Sequence, residues 1–239
     1  MIVYHFTSSE FAIRALRDRR LKIVRLNELN DPWAFCMADP LDEDVRLTLE
    51  SFWNHANEQY GAICFCSNYL DPALWSHYAD GHRGVALVFE IPDSDAIPVT
   101  YHSAGCDLNV AAALKRGCFD QSDVSQLVSV KFTSWRYEQE IRMTCALNDY
   151  FCQINAKGKK VYFESLRLEP YGVDALKLVG LIRGAQCDVS PAGIASELLA
   201  VDTLQVQDAR LETSSNLIMA GEPYGVSGER LFTACCFRV

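Results

Sequence analysis

The chain has 239 residues, 49% of them hydrophobic, with 31 acidic and 22 basic side chains and a formal net charge of −9. Such a composition supports one substantial core and excludes disordered, collagenous and solenoid chains, since no self-similarity of about 20–50 residues occurs. The acidic balance disfavours nucleic-acid binding held mainly by phosphate contacts, and no apolar run approaches the roughly 18–20 residues of a membrane span. The start, Met1 to Thr7, lacks the basic stretch and long apolar core of a signal peptide, so a cytoplasmic protein is expected. Ten cysteines, with no CxxC pair and no histidine at zinc-finger spacing, read as reduced and mostly buried thiols.

In chain order, Ile2 to Phe6 reads as a short strand, and Thr7-Ser-Ser-Glu10 has capping-box spacing for a helix over about 8–19. Leu21 to Leu26 is a second strand, followed by the turn Asn30-Asp31-Pro32. Residues 42–57 are helical in pattern, with Val45, Leu49, Phe52 and Trp53 on one broad apolar face. Gly61 to Ser67 is a strand, and Asp71-Pro72 opens a helix that runs to near Gly81. Gly84 to Ile91 is another strand. Beyond it come a strand at Ile97–Tyr101, helices around 108–116 and 122–128, and strands at Val128–Phe132 and Tyr137–Cys145. Strands at Lys160–Leu166 and Leu176–Ile182 follow, then a helix from Asp188-Val-Ser-Pro191 to about Leu199 and strands at 203–211 and 230–238. Strands and helices do not alternate regularly, and no GxGxxG or GxxxxGK[ST] phosphate loop occurs. The expected fold is α+β, mostly antiparallel, in split or curved sheets with interspersed helices. No linker divides residues 1–239, so one domain is expected.

Three segments carry groups suited to chemistry. His5 ends a strand just before a helix, where an imidazole can reach a cleft edge, while Phe6 offers its backbone amide and carbonyl and Thr7 a hydroxyl. The same residues also suit a half-buried histidine beside a helix cap. Trp75 and Tyr78, three apart on a helix, either wall a pocket for a planar ring or fill the core. In Trp135-Arg-Tyr-Glu-Gln-Glu-Ile-Arg142, strand alternation turns Arg136, Glu138, Glu140 and Arg142 to one face and Trp135, Tyr137 and Ile141 to the core. Two carboxylates so placed reach one substrate, and the flanking arginines keep them ionised; an exposed strand with alternating charges is the alternative. The basic run Arg14, Arg17, Arg19, Arg20, Lys22 and Arg25 is either a solvated face or a pocket for a small anion.

Leu29-Asn-Asp-Pro32, Ala62-Ile-Cys-Phe-Cys-Ser67, Leu74-Trp-Ser-His-Tyr-Ala79, Gly84-Val-Ala-Leu-Val-Phe89, Trp135 to Arg142 and Leu178-Val-Gly-Leu-Ile-Arg-Gly184 together resemble an uncharacterised, mainly bacterial domain family (the DUF class numbered 2971). That resemblance covers residues 1 to about 200, and residues 201–239 are expected to add strands that complete the domain. More distantly, the series His5-x-Thr7, Tyr78 and Glu138-x-Glu140 resembles the ADP-ribosyltransferase superfamily in its His–Tyr–Glu branch. The second resemblance implies that His5 and Thr7 hold nicotinamide and the adenosine ribose, with Phe6 standing where that family has glycine. It further implies that Tyr78 stacks on nicotinamide with Trp75 as a second wall, that Glu140 is the catalytic carboxylate, and that Glu138 orients the acceptor. Arg14, Arg20 or Arg25 would pair with the pyrophosphate.

The function implied is NAD-dependent ADP-ribosyl transfer to a protein or small-molecule acceptor, a nucleic-acid acceptor remaining open, or NAD glycohydrolysis where water is the acceptor. NAD is then a substrate, no metal is needed, and membership of such a group implies a toxin or phage-defence factor with a neutralising partner. The breaking nicotinamide–ribose bond builds positive charge that a fixed carboxylate stabilises. The alternative is a non-catalytic binding module on the same fold, anchored by Trp33 and Phe35. A thiol or metal protein built on Cys64-x-Cys66 is a third reading.

Overall fold

Val85 to Phe89 is an unbroken apolar run, and all five residues are buried, as expected of a strand covered on both faces. The computed structural model describes residues 1–31, 43–103, 121–149, 151–167, 176–190, 193, 205–212, 217–221 and 224–225. Its first elements are β1 (Ile2–Thr7), α1 (Ser9–Asp18), β2 (Arg20–Arg25), α2 (Glu43–Gln59), β3 (Tyr60–Cys66), α3 (Pro72–Tyr78) and β4 (Val85–Glu90). Next come β5 (Ile97–Pro98), β6 (Thr100–His102), α4 (Gln121–Val128), β7 (Val130–Phe132), β8 (Glu140–Ala146) and β9 (Phe151–Ile154). The last are β10 (Lys160–Arg167), β11 (Leu176–Arg183), β12 (Gln205–Glu212), β13 (Leu217–Ala220) and β14 (Tyr224–Gly225). Short 3-10 turns lie at Leu26–Glu28, Thr133–Glu138 and Leu147–Asp149. The chain is α+β with a large mixed sheet and few helices.

Two compact units emerge, each drawn from separated stretches of chain. One comprises Met1–Leu21, Phe65–Asp93 and Glu164–Val239, the other Lys22–Cys64 and Ser94–Phe163. Three of the four boundaries fall inside β2, β3 and β10, where no linker composition marks them, and the fourth falls at Asp93/Ser94 between β4 and β5.

In the first unit β4 lies between β1 and β11, antiparallel to both, with His5 opposite Leu87 and Leu181 opposite Leu87 on the other side. β11 is parallel to β12 and to the end of β10, whereas β13 and β14 are antiparallel to β12. Helix α1 is capped by Ser8, whose Oγ accepts the Phe11 amide at 3.3 Å. The cap is thus one residue after the Thr7 that the capping-box spacing favours, because Thr7 is still paired with Val85 in β1. Asp71 caps α3 by accepting the Ala73 amide at 2.8 Å, with Pro72 in the first turn, as its sequence indicates.

In the second unit β3 pairs antiparallel with β2, and β8 pairs with β3 and β5. β6 and β7 form a separate parallel pair, and β9 and β10 an antiparallel ribbon. Phe52 and Ala56 of α2 join Leu26, Ala62, Val124 and Val128 in one apolar cluster, with Trp53 packed against it. That places α2's apolar face where its periodicity put it, although the side chains of Val45 and Leu49 lie outside the described residues. So do Trp33 and Phe35, the helix around 108–116, most of the helix expected after Asp188 and the strand expected at 230–238.

Candidate functional site: a buried ionic cluster

Lys131 sits on β7 between two apolar neighbours, and within eleven residues the chain returns three more charges to it. The 3-10 turn Thr133–Glu138 closes into Gln139, whose φ of 43° is left-handed, and β8 starts at Glu140. A straight strand, as alternation predicts from Tyr137 onward, would carry Glu138 away from β7. The tight turn and the left-handed residue bring it back instead, so the strand begins three residues later than expected. Lys131 and Arg142 are 0% exposed, Glu138 3% and Glu140 5%. The exposed-strand alternative is therefore not what forms here.

Each charge in the cluster has a named partner. Lys131 Nζ donates to Glu138 Oε2, to Glu140 Oε2 at 2.9 Å and to Asn30 Oδ1 at 2.8 Å. Arg142 grips Glu140 through Nε (2.7 Å) and Nη2 (2.9 Å) and donates through Nη1 to the Val128 carbonyl at 2.6 Å. Asn30 Nδ2 closes the ring of contacts on Glu138 Oε1 at 3.1 Å. Fully buried Asp31 accepts the Phe132 amide at 3.1 Å, Tyr101 Oη accepts the Glu140 amide at 2.8 Å, and Lys131 lies 4.8 Å from the Trp135 ring centre.

Burial by itself would push the Glu140 carboxyl up, but Arg142 and then Lys131 outweigh it and hold the group down at about 2. The arginine is raised in turn by Glu140 against its own burial. Burial, then the negative charge of Glu140, pushes the Cys64 thiol well up, so it stays protonated and donates to that carboxylate. Glu140 is an anion fixed in place in a low-dielectric setting. Arg142 supplies the ion pairing that the sequence assigns to the flanking arginines; Arg136 does not, its guanidinium lying over the Tyr101 ring.

The nicotinamide-contact candidates all belong to the first unit. β-alternation puts His5 and Thr7 on one face of β1 and Phe6 on the other. His5 meets Phe65 edge to face at 6.2 Å. Trp75 packs perpendicular to Phe6 at 5.0 Å, is fully buried and donates its indole N–H to the Tyr69 carbonyl at 2.7 Å. His5 and Trp75 therefore serve opposite faces of the same strand, and Trp75 is a core residue rather than the open wall of a pocket. Tyr78 is half-buried with its ring edge-on to His77 at 6.0 Å. Arg14 pairs with Glu10 and Arg20 with Asp18, while Arg25, in the second unit, donates twice to the Asn57 carbonyl.

No protein-family model, curated protein or solved structure matches this chain. The site is thus read from its own chemistry. The cluster gathers Asn30-Asp31 and Trp135 to Arg142, segments the sequence separates by about a hundred positions, around a lysine that motif reading passes over. One signal for Lys131 was present: a lone lysine between the apolar Val130 and Phe132 of an expected strand. Among the described residues no group of three His, Cys, Asp or Glu side chains is placed to hold a metal ion, and no helix is long and apolar enough to cross a membrane.

Proposed function

We propose that this protein cleaves the nicotinamide–ribose bond of NAD and transfers ADP-ribose to an acceptor or to water, with Glu140 as the carboxylate that stabilises the developing positive charge. The observation that supports this reading is the ionised, immobilised state of Glu140 despite burial. An oxocarbenium-like transition state gains most from a charge that is already oriented and cannot be neutralised by a proton. Glu138, held beside it by Lys131 and Asn30, is the second carboxylate through which an acceptor is oriented. The resemblance implies nicotinamide and ribose contacts at His5 and Thr7.

A second reading, a binding module without turnover, is favoured by the saturation of Glu140. Arg142, Lys131 and Cys64 already occupy its lone-pair directions. Turnover requires that Lys131 yield its contact with Glu140 to the ribose while keeping Glu138 and Asn30. Nicotinamide release from NAD, measured by chromatography, separates the two. Release is expected from the wild type and a loss of at least about a hundredfold from Glu140→Gln. Because that variant leaves Arg142 buried without its partner, His5→Ala, which leaves the cluster intact, is measured alongside, with thermal melts of all three. A wild type that neither releases nicotinamide nor melts higher in NAD is the binding module.

A further inference from the structure

Asn30 differs from the rest of the cluster it joins. Lys131, Glu138, Glu140 and Arg142 are buried on β7, β8 and the turn between them. Asn30 is exposed and lies about a hundred positions earlier, just beyond the 3-10 turn Leu26–Glu28. It reaches the cluster through its side-chain carboxamide, in both directions: Oδ1 accepts from Lys131 Nζ at 2.8 Å, and Nδ2 donates to Glu138 Oε1 at 3.1 Å.

The pair that Asn30 meets asks for one kind of group. An ammonium has only donors and a carboxylate only acceptors, so Lys131 beside Glu138 matches a planar group with one acceptor and one donor. A primary carboxamide is such a group. A carboxylate in its place would set its oxygens against Glu138, and an ammonium would face Lys131. The other contacts of Lys131 Nζ go to Glu138 Oε2 and Glu140 Oε2, so its third N–H needs an acceptor from outside the two carboxylates. Aromatic surface lies within reach. Trp135 and Tyr137 are half-buried with ring centres 6.3 Å apart, and Lys131 Nζ is 4.8 Å from the Trp135 ring centre.

We propose that Lys131 and Glu138 form a binding site for a small molecule carrying a primary carboxamide on a planar ring, and that Asn30 is its built-in occupant, displaced when the ligand arrives. The exchange leaves Lys131 and Glu138 paired, since one carboxamide takes the place of another. Asn30 starts from an exposed position, so turning outward returns its amide to water. Turnover as proposed above keeps Asn30 in place, so this ligand is not the NAD being cleaved, and its binding is read without NAD.

Calorimetric titration of benzamide, benzoate and propionamide into the full chain and into Asn30→Ala tests this. The variant is expected to bind benzamide at least about tenfold more tightly than the wild type, which must first give up an occupant present more than about nine-tenths of the time. Benzoate is expected to bind neither protein, and propionamide, without the ring, to bind more weakly than benzamide. Melting temperatures check that Asn30→Ala is folded. Independently of that variant, the side-chain amide resonances of Asn30 in the wild type are expected to move at saturating benzamide in NMR spectra. Equal affinity of the two proteins for benzamide, no binding by either, binding of benzoate or propionamide as tight as that of benzamide, or Asn30 resonances that stay in place overturns the proposal. Equal affinity is also what an amide seated at His5 and Thr7 would give, so this result leaves the NAD reading to its own measurement of nicotinamide release.

Discussion

Lys131 is the residue on which the cluster turns, since it is bonded to both carboxylates. Replacing it by methionine keeps the volume but removes the cation that the two buried carboxylates share. Removing one partner of a buried pair costs more than the pair contributes, because the remaining charge stays desolvated. Lys131→Met is expected to lose about 3–5 kcal/mol, read as a lower urea midpoint with an unchanged slope. Glu140 also sets a pH dependence. Its carboxyl lies near 4.5 when unpaired and at about 2 in the folded chain, so the native state favours the ionised form. This stability is fully present above about pH 4.5 and is lost as pH falls towards 2; the displacement corresponds to about 3 kcal/mol. Urea titrations between pH 7 and 3 are expected to show that decline in the wild type and a flatter profile in Glu140→Gln. Glu140 and Arg142 were legible as a charged pair, because i and i+2 share a face of strand β8, whereas Glu138 joins them through the turn before it. Lys131 and Asn30 were not legible, because ion pairing across many residues leaves no periodicity.

At the scale of elements, capping chemistry and apolar periodicity located α1, α2, α3 and β4 closely, since each depends on residues a few positions apart. The failure is instructive at Trp135 to Glu138, where alternating polar and apolar residues suit a strand and a 3-10 turn forms. The buried carboxylate decides the matter: Glu138 reaches Lys131 once Gln139 turns left-handed. A β-branched residue is strained at that φ, so Gln139→Val is expected to destabilise by about 1–2 kcal/mol and Gln139→Gly to stay close to wild type in thermal melts. Gly84, at the start of β4, is constrained from outside. A Cβ there would overlap the Thr7 carbonyl oxygen and stand 2.9 Å from the Ala79 backbone. Gly84→Ala is therefore expected to lose about 3 kcal/mol, measured as a drop in melting temperature, because backbone rather than a flexible side chain must move.

Across the whole molecule, burial and pairing are unevenly distributed. β4 is bonded on both edges, by β1 and β11, and covered on both faces. Its amides from Val85 to Phe89 are expected to exchange hydrogen only on global unfolding, and those of the exposed strand β9 to exchange sooner. Mass-spectrometric hydrogen exchange on peptides from the two strands checks this. The sequence by itself determined the α+β class, the cap of α3, the central apolar strand and the excess of negative charge, because propensity, periodicity and net charge are local or additive. Tertiary structure alone decided that two units interleave along the chain, that His5 and Trp75 serve opposite faces of β1, and that Lys131, Glu138, Glu140 and Arg142 share one buried site that the exposed Asn30 reaches. Those outcomes depend on which distant segments pair and on the need of every buried charge for a partner, and neither is written in any short window of residues.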